Sequence, residues 1–321
     1  MIAPDDPQIV VSGACAAAIV DDAAGRRLRL VRPITVPASG YHCDNPGASI
    51  RFATAAGQVV AHLRYSEGHV SATARNGIGL MRVDGAWRPE WTFAAPTTAV
   101  RREVALVDAV LPAPGDGAVH VYELVLPYGD SVELRGITAD APLVPPPAWR
   151  RPRWVAYGDS VTQGFDASHI GATWAWQLAQ AKGWELVNLG IGGRACTPAD
   201  AAAIAACAPD LVTIAIGVND WQGGVPPAAY GQRLRALRAE VARLAPHARI
   251  AVLSPLWVAA AWKPTAATHP LADYRAEAGP DAINGELLID HDPALFNPVA
   301  VHPNDAGAAQ MARRLADLLP W

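Results

Sequence analysis

A serine at position 160 stands where a strand-like run gives way to a helix-like one. Residues 154–157 are apolar, and Gly158-Asp159-Ser160 comes directly after them. A serine at such a turn presents its hydroxyl as a nucleophile, and the N–H groups of the next helical turn can stabilise a developing anion. A polar turn without chemistry is the alternative for this segment taken alone. Ser160 is therefore the candidate nucleophile, provided that later segments of the chain supply the other catalytic groups.

The pentapeptide at 157–161 also occurs at 128–132, which supplies an internal control. The earlier copy lies between two strand-like runs, 121–126 and 132–135, so its pattern predicts a hairpin turn. No helical pattern succeeds it. The surrounding sequence thus separates a structural Ser131 from a catalytic Ser160.

Two later strand ends carry groups that can stabilise an oxyanion. The run 186–189 leads into a Gly-rich turn containing Gly193, where the backbone can approach a ligand and donate an N–H group. The run 211–216 leads into Asn219, whose amide can donate as well. Each feature alone is common in turns, and the glycine spacing is not that of a dinucleotide site.

His302 stands beside Pro303 at the start of the last helical pattern. A histidine there is a loop residue by default, but the position would also hold a general base rigidly. Asp305, three residues later, is predicted to cap the helix.

As a set, these motifs resemble the SGNH, or GDSL-type, ester hydrolase superfamily over about residues 150–321. The segments are Gly-Asp-Ser, Asn-Leu-Gly-Ile-Gly-Gly, Gly-Val-Asn-Asp and His-Pro-Asn-Asp-Ala-Gly, in that order. The resemblance implies that Ser160 is the nucleophile and His302 the general base. It further implies an oxyanion hole built from the N–H groups of Ser160 and Gly193 and the side chain of Asn219.

One position departs from the family pattern. The family usually carries Asp three residues before the histidine, where this chain has Val299. An apolar side chain cannot accept a hydrogen bond from the imidazole. Asp290, Asp292 or a backbone carbonyl, as in some carbohydrate esterases, is expected to orient His302 instead.

Tryptophans close to the motifs suggest aromatic walls near the site. Trp221 comes two residues after Asn219, and Trp257 and Trp262 come after the apolar run that ends at Leu253. Such rings can bind an aryl or acyl group or stack on a sugar. Packing in the core is the alternative, which we favour for Trp174 and Trp176.

Hydrophobic patterning predicts two domains. Short alternating runs over 1–147 indicate an antiparallel β-sandwich, jelly-roll-like, that ends in a Pro-rich connector. Over 148–321, five apolar runs, the last at 287–289, alternate with helical patterns, which is typical of a flavodoxin-like parallel sheet with helices on both faces. In such sheets ligands bind at the carboxyl ends of the strands, where all the motifs fall.

Composition excludes several classes of partner. The 321 residues carry a net charge of −4 without a basic run, which argues against nucleic acid and anionic membranes. No apolar stretch is long enough to span a bilayer, and the first residues do not resemble a secretory signal. Four cysteines without CxxC spacing suggest neither a zinc site nor a disulfide framework. We expect a cytoplasmic protein without metal or cofactor.

The predicted function is that of a serine ester hydrolase acting on small acyl esters, with a sugar or natural product among the alcohols. An acyltransferase with the same residues is the first alternative, since only the acceptor differs. A non-catalytic carbohydrate-binding or scaffold protein is the second, and Val299 is its only support.

Overall fold

The computed structural model describes residues 1–34, 45–69, 77–95, 101–102, 104–259, 264, 266–298, 301–319 and 321. These residues form two compact units. The first contains Met1–Arg32, the described part of 45–150, and His169–Gly171. The second contains residues 33–34, Arg151–Ser168 and the described part of 172–321.

The first unit is built from antiparallel strands. They are β1 (Val10–Ser12), β2 (Ala16–Asp22), β3 (Gly25–Val31), β4 (Ser49–Thr54), β5 (Val59–His69), β6 (Gly79–Val83), β7 (Thr92–Phe93), β8 (Arg101–Arg102), β9 (Ala105–Leu111), β10 (His120–Val125), β11 (Asp130–Ala139) and β12 (Leu143–Val144). Within the described residues they form two sheets of six strands each. One has the order β1-β4-β10-β6-β7 with β12 on β4, and the other β2-β3-β11-β5-β8 with β9 on β5.

The two sheets share one apolar core. Phe52 and Leu124 of the first sheet lie in the same buried cluster as Leu63 and Leu134 of the second. This arrangement confirms the predicted antiparallel sandwich, because alternate residues of strands from both sheets turn inward.

The predicted hairpin at 128–132 is wrong. β10 pairs with β4 and β6, whereas β11 pairs with β5 and β3, so the connection passes from one sheet to the other. Both strands are almost wholly buried where they meet this connection, and their side chains therefore carry no in-out alternation that could identify their partners. Ser131 is buried in β11.

The second unit contains a parallel sheet and helices. Its strands are β13 (Arg153–Gly158), β14 (Glu185–Asn188), β15 (Leu211–Ala215) and β16 (Arg249–Leu253). Its helices are α1 (Ser160–Gln163), α2 (Trp174–Lys182), α3 (Ala201–Ala206), α4 (Val218–Gln222), α5 (Pro227–Leu244), α6 (Leu271–Glu277) and α7 (Asp305–Leu318). The chain also forms 3₁₀ turns at Ile170–Ala172, Pro198–Asp200, Gly285–Leu287 and Pro293–Leu295.

The order of this sheet confirms the predicted α/β fold and places the first motif at its switch point. Among the described residues the order is β14-β13-β15-β16, all parallel. The chain therefore leaves β13 towards one neighbour and returns on the other side. Ligand sites of open α/β sheets form where the strand order reverses in this way, which is the end of β13 that carries Ser160.

A buried tryptophan, Trp154, anchors β13 in the core. Trp154 is fully buried, donates its indole N–H to Thr213 Oγ1 at 3.1 Å, and lies 5.7 Å from Trp174 between ring centroids. Trp174 thus belongs to the core, as predicted. The contacts of Trp154 fix the position of β13, the strand that leads to Ser160.

Two details of the second unit differ from expectation. Residues 287–289 form no strand: a 3₁₀ turn ends at Leu287, and Leu288 and Ile289 are buried without pairing into the sheet. A short apolar run alone does not distinguish a strand from another buried segment. The cap of α7 is Asn304, whose side chain accepts from two backbone N–H groups, and Asp305 is the first residue of the helix.

The cysteines also differ from expectation. Cys15 and Cys207 each take part in a disulfide, while Cys196 is a buried free thiol. Cys43 lies outside the described residues. Disulfides depend on the distance between Cα atoms in the fold, which sequence spacing does not reveal.

In the part of the chain described here, no helix is long and apolar enough to cross a membrane.

Candidate active site

Ser160 sits on a sharp turn between β13 and α1. Asp159 has an extended backbone and caps α1, its Oδ1 accepting the Val161 N–H at 3.0 Å. Burial raises the pKa of Asp159 to about 6. Ser160 itself is 8% exposed, and its Oγ lies 2.8 Å from Nε2 of His302. The structure therefore brings together the two residues predicted as nucleophile and base.

A carboxylate that the sequence reasoning missed faces the other side of the imidazole. Oδ2 of Asp166 lies 3.1 Å from Nδ1 of His302. Asp166 comes after α1, which ends after one turn at Gly164. Its φ of 69° lies in the left-handed region, which aspartate tolerates better than most side chains. The turn thus returns the chain so that Ser160 and Asp166 approach opposite nitrogens of one ring.

Neighbouring groups hold this pair in place. The side-chain amide of Asn297 donates to the same Oδ2 of Asp166, and the ring of Phe165 lies 5.0 Å from that of His302 between centroids. Asp305 accepts the Ser168 N–H at 2.7 Å and so ties the Asp166 loop to the start of α7.

The carboxylates expected to orient His302 lie elsewhere. Asp290 accepts from Gln310 and is paired with Arg314, a hydrogen bond that lowers its pKa. Asp292 caps the 3₁₀ turn at 293–295 by accepting the Ala294 N–H at 2.9 Å. Asp166 therefore takes the role that was expected of Asp290 or Asp292. Its loop is distant from His302 in sequence, but the fold brings its carboxylate to the imidazole ring. Val299 lies outside the described residues.

The Gly-rich turn after β14 packs tightly against α1. Asn188 donates to the Thr162 carbonyl at 2.7 Å and accepts the Gly190 N–H at 2.8 Å, while Gln163 accepts the Gly192 N–H at 2.8 Å. A side chain at Gly190 would collide with the backbone of α1. Close packing of this kind fixes the direction of the N–H groups along the turn.

Gly193 is the open point of that turn. Its φ is 76°, and a Cβ built on it would meet no atom within 4 Å. Space therefore exists beside its backbone, as an oxyanion donor requires, and its left-handed conformation favours glycine.

Asn219 lies in α4 and is tied to the same turn. Its Nδ2 donates to the carbonyl oxygen of Arg194 at 3.0 Å. An amide nitrogen carries two donors, so this bond leaves one N–H group for a ligand. Asn219 is thus hydrogen-bonded to the residue that follows Gly193, which links the two predicted oxyanion donors.

A buried polar cluster anchors that segment, and sequence reasoning missed it. Arg194 donates from Nε to Oδ2 of Asp200 at 2.8 Å, and the hydroxyl of Tyr157 donates to the same oxygen at 2.8 Å. All three side chains are buried. A neighbouring carboxylate, Asp220, accepts the Cys196 N–H at 2.8 Å, and burial raises its pKa. The strand end that carries Ser160 is in this way coupled to the Gly193 turn.

The tryptophans near the motifs are engaged in packing. Trp221 is buried and donates to the His269 carbonyl at 2.9 Å. Trp257 stacks on His291 at 5.0 Å between ring centroids. Trp262 lies outside the described residues. Within those that are described, no three His, Cys, Asp or Glu side chains are grouped so as to hold a metal.

Comparison with known proteins agrees with this geometry. Residues 156–310 match the model of the GDSL-like Lipase/Acylhydrolase family. This stretch is similar to the GDSL-like acylhydrolases. The resemblance predicted from four short motifs is confirmed, and the GDSL-like stretch contains the candidate site from Tyr157 to Asp305. The match supports an enzyme that acts on acyl esters. No curated protein sequence matched the chain.

Solved structures resemble the chain over almost its whole length. A salicylyl-acyltransferase from a tetracycline biosynthetic pathway superposes with a TM-score of 0.76 at 21% identity, covering 99% of this chain and 98% of that one. A family two carbohydrate esterase from Cellvibrio japonicus gives 0.65 at 21% identity, covering 99% and 96%. One from Clostridium thermocellum, in complex with cellohexaose, gives 0.67 at 15%, covering 97% and 98%. At these identities the likeness concerns the fold.

Proposed function

We propose that the protein is a serine ester hydrolase that cleaves small acyl esters through an acyl-enzyme intermediate. The observation that carries the proposal is the hydrogen-bonded series from Ser160 Oγ to His302 Nε2, at 2.8 Å, and from His302 Nδ1 to Asp166, at 3.1 Å. A serine hydroxyl is a poor nucleophile until a base takes its proton, and this series supplies the base in a fixed orientation.

In the first half-reaction, Ser160 Oγ attacks the ester carbonyl carbon while His302 Nε2 takes the hydroxyl proton. The carbonyl oxygen becomes negative, and the N–H groups of Ser160, Gly193 and Asn219 stabilise it. His302 then donates its proton to the leaving alcohol oxygen. The C–O bond to the alcohol breaks, and the acyl group remains on Ser160.

In the second half-reaction, a water molecule replaces the alcohol. His302 takes a proton from this water, the hydroxide oxygen attacks the acyl carbon, and the proton returns to Ser160 Oγ as the acid leaves. Asp166 accepts the Nδ1–H throughout, which keeps Nε2 free to act as base and stabilises the imidazolium.

Acyl transfer is the second candidate, since the same residues serve when an alcohol takes the place of water. The salicylyl-acyltransferase and the carbohydrate esterases among the similar structures support a natural product or a sugar as the alcohol partner. Pocket shape and water exclusion at the acyl-enzyme stage decide between hydrolysis and transfer.

A fluorophosphonate probe with mass mapping tests the proposal. We expect labelling at Ser160 and turnover of p-nitrophenyl acetate, and loss of both in Ser160→Ala. Ser131→Ala, in the second copy of the pentapeptide, is the matched control and should keep turnover within a few-fold. Absence of labelling and turnover in the wild type would instead favour a non-catalytic binding protein.

Product analysis separates the two reactions. The acyl-enzyme is formed from p-nitrophenyl ester in the presence of a sugar or a simple alcohol. Free acid as the main product supports hydrolysis, and a new ester as the main product supports transfer.

A further inference from the structure

Asn297 contacts both members of the acid–base pair in the candidate active site. Its side-chain Nδ2 donates to Oδ2 of Asp166, the carboxylate oxygen that faces the imidazole, and lies 3.5 Å from Nδ1 of His302. Its backbone N–H donates to the carbonyl oxygen of His302 at 2.9 Å. Asn297 is 9% exposed, so little water competes for these bonds. One buried residue thus binds the acid through its side chain and the base through its backbone.

A short hairpin places Asn297 opposite His302. The residues next to them in the chain, Phe296 and Pro303, form an antiparallel bridge. Oδ1 of Asn297 accepts the Val301 N–H at 3.4 Å. These contacts close the hairpin on both sides of the backbone hydrogen bond between Asn297 and His302. The amide side chain therefore has a fixed position on the Nδ1 side of the imidazole ring.

The carboxylate of Asp166 depends on its neighbours for its orientation. The Asp166 backbone has a φ of 69°, a left-handed conformation that costs free energy and persists where surrounding groups hold it. The carboxylate also rotates easily about χ2, because terminal torsions of this kind have broad minima. The Asn297 amide donates to Oδ2 and so favours the orientation in which this oxygen also faces Nδ1 of His302. A hydrogen bond to an ionised group is about twice as strong as one between neutral groups, which gives this contact the strength to select one orientation.

We propose that Asn297 is a positioning residue that holds Asp166 against His302, and that positions 166 and 297 can exchange carboxylate and amide. The inference rests on the proposed function, because its kinetic test takes His302 as the base of ester cleavage. The two side chains lie side by side, with Oδ2 of Asp166 at 3.1 Å and Nδ2 of Asn297 at 3.5 Å from the same ring nitrogen. A carboxylate at either position would therefore have both the imidazole N–H and an amide N–H within reach.

Removal of the amide is the first test. We expect Asn297→Ala to lower kcat for p-nitrophenyl acetate about 10- to 100-fold, the equivalent of one hydrogen bond to a charged group. KM should stay within about twofold, because the change acts on the base and not on substrate binding. Asn284→Ala removes an exposed asparagine that caps the 3₁₀ turn at Gly285–Leu287 and should keep kcat within about twofold. An Asn297→Ala variant as active as this control would overturn the inference.

Exchange of the two groups distinguishes positioning from a purely structural role. Asp166→Asn alone should lose about 10³- to 10⁴-fold in kcat. The double variant Asp166→Asn/Asn297→Asp returns a carboxylate to the Nδ1 side of the ring, and we expect it to recover about tenfold or more relative to Asp166→Asn. A residue that only stabilised the hairpin would give no recovery, since a carboxylate in place of its amide adds nothing to the hairpin.

Asp166→Asn/Asn304→Asp is the matched control for this recovery. Asn304 lies on the same hairpin and caps α7, with its side chain accepting from two backbone N–H groups, a role that aspartate fulfils as well. The control therefore adds the same negative charge close to His302 without placing it at Nδ1, and it should show no recovery. Circular dichroism verifies the fold of both double variants. Recovery in both of the folded variants, or in neither, would contradict the exchange.

The proton on Nδ1 of His302 gives a readout that needs no turnover. In Ser160→Ala this proton, held between Nδ1 and Asp166, can be followed by NMR through its exchange with solvent. We expect Asn297→Ala in this background to speed the exchange about tenfold or more, and Asn284→Ala to leave it unchanged. An exchange rate that Asn297→Ala does not alter would overturn the inference even in an active esterase. Faster exchange in a protein that hydrolyses no ester would keep the role of Asn297 and overturn the proposed function.

Discussion

His302 Nδ1 lies 3.1 Å from Oδ2 of Asp166, a residue 136 positions earlier in the chain. An imidazole that donates from Nδ1 must keep the lone pair on Nε2, which is the tautomer a general base needs. Nε2 in turn lies 2.8 Å from Ser160 Oγ. The nucleophile and the carboxylate thus come from the two ends of one tight turn, and the base comes from the segment just before α7.

The first prediction is that Asp166→Asn lowers kcat for p-nitrophenyl ester hydrolysis by about 10³- to 10⁴-fold. An amide at this position no longer selects the reactive tautomer or stabilises the imidazolium. KM should change little, since Asp166 contacts the base and not the substrate. Steady-state kinetics with circular dichroism to verify folding measure the effect.

Asp290→Asn and Asp292→Asn are its matched controls. Both remove a carboxylate from the same part of the sequence as His302, and neither carboxylate contacts the ring in the structure. Each variant should keep kcat within about tenfold of the wild type. If either control lost more activity than this while Asp166→Asn stayed active, the carboxylate that orients His302 would lie in the segment before the histidine and would not be Asp166.

The sequence could reveal Ser160 and His302 but not Asp166. The first two stand at strand and helix ends within recognisable motifs, so local patterning locates them. Asp166 reaches the ring because α1 ends after one turn and the backbone then adopts a left-handed conformation. A Gly at position 164 permits that turn, but hydrophobic periodicity does not specify where the loop then leads.

The sequence also did not predict which strands pair with each other in the first unit. The runs that became β10 and β11 follow each other at the spacing of a hairpin, yet they pair in different sheets. Local propensity is the same in both arrangements, and the choice depends on which faces the other strands leave to be covered. The parallel sheet was predictable because its apolar runs alternate with clear helical patterns.

A second prediction concerns the oxyanion. Asn219→Ala should lower kcat by about 10² to 10³ with KM nearly unchanged, since a donor to the oxyanion acts mainly in the transition state. Asn219→Asp, which keeps the size but removes the donor, should lose as much. Gln222→Ala on the same short helix is exposed and serves as control. Full activity in Asn219→Ala would show that Asn219 does not stabilise the oxyanion and only forms its hydrogen bond with the Arg194 carbonyl.

A third prediction tests the buried cluster behind the Gly193 turn. Tyr157→Phe removes one of the donors to Asp200 and should loosen the turn that contains Gly193 and accepts a hydrogen bond from Asn219. We expect kcat to fall about three- to tenfold at constant KM. Tyr65→Phe is a closely matched control, because Tyr65 is equally buried and donates to the Gly77 carbonyl at 3.1 Å in the first unit.

Both tyrosine variants should lose about 1 kcal/mol of unfolding free energy, as is usual for a buried hydrogen bond. Only Tyr157→Phe should lose kcat. Equal kinetic behaviour of the two variants would mean that the cluster stabilises the fold without positioning the oxyanion donors.

The fourth prediction is that Asp159→Asn stabilises the protein at pH 8 and not at pH 4. Burial raises the pKa of Asp159 from 3.8 to about 6 in the folded state. Asparagine keeps the cap on the Val161 N–H and carries no charge. Urea unfolding of both proteins across this pH range measures the difference in unfolding free energy.

The sign depends on which state holds the proton. Between about pH 4 and pH 6 the folded protein keeps a proton on Asp159 that the unfolded chain has released, so the wild type loses stability as the pH rises. Above about pH 6 the loss is complete and amounts to about 3 kcal/mol at most for a shift of this size. The neutral variant does not suffer it, and Asp159→Ser, neutral and also able to cap, should behave alike. A stability difference between wild type and Asp159→Asn that does not grow from pH 4 to pH 8 would show that the carboxylate is stabilised by groups other than its cap.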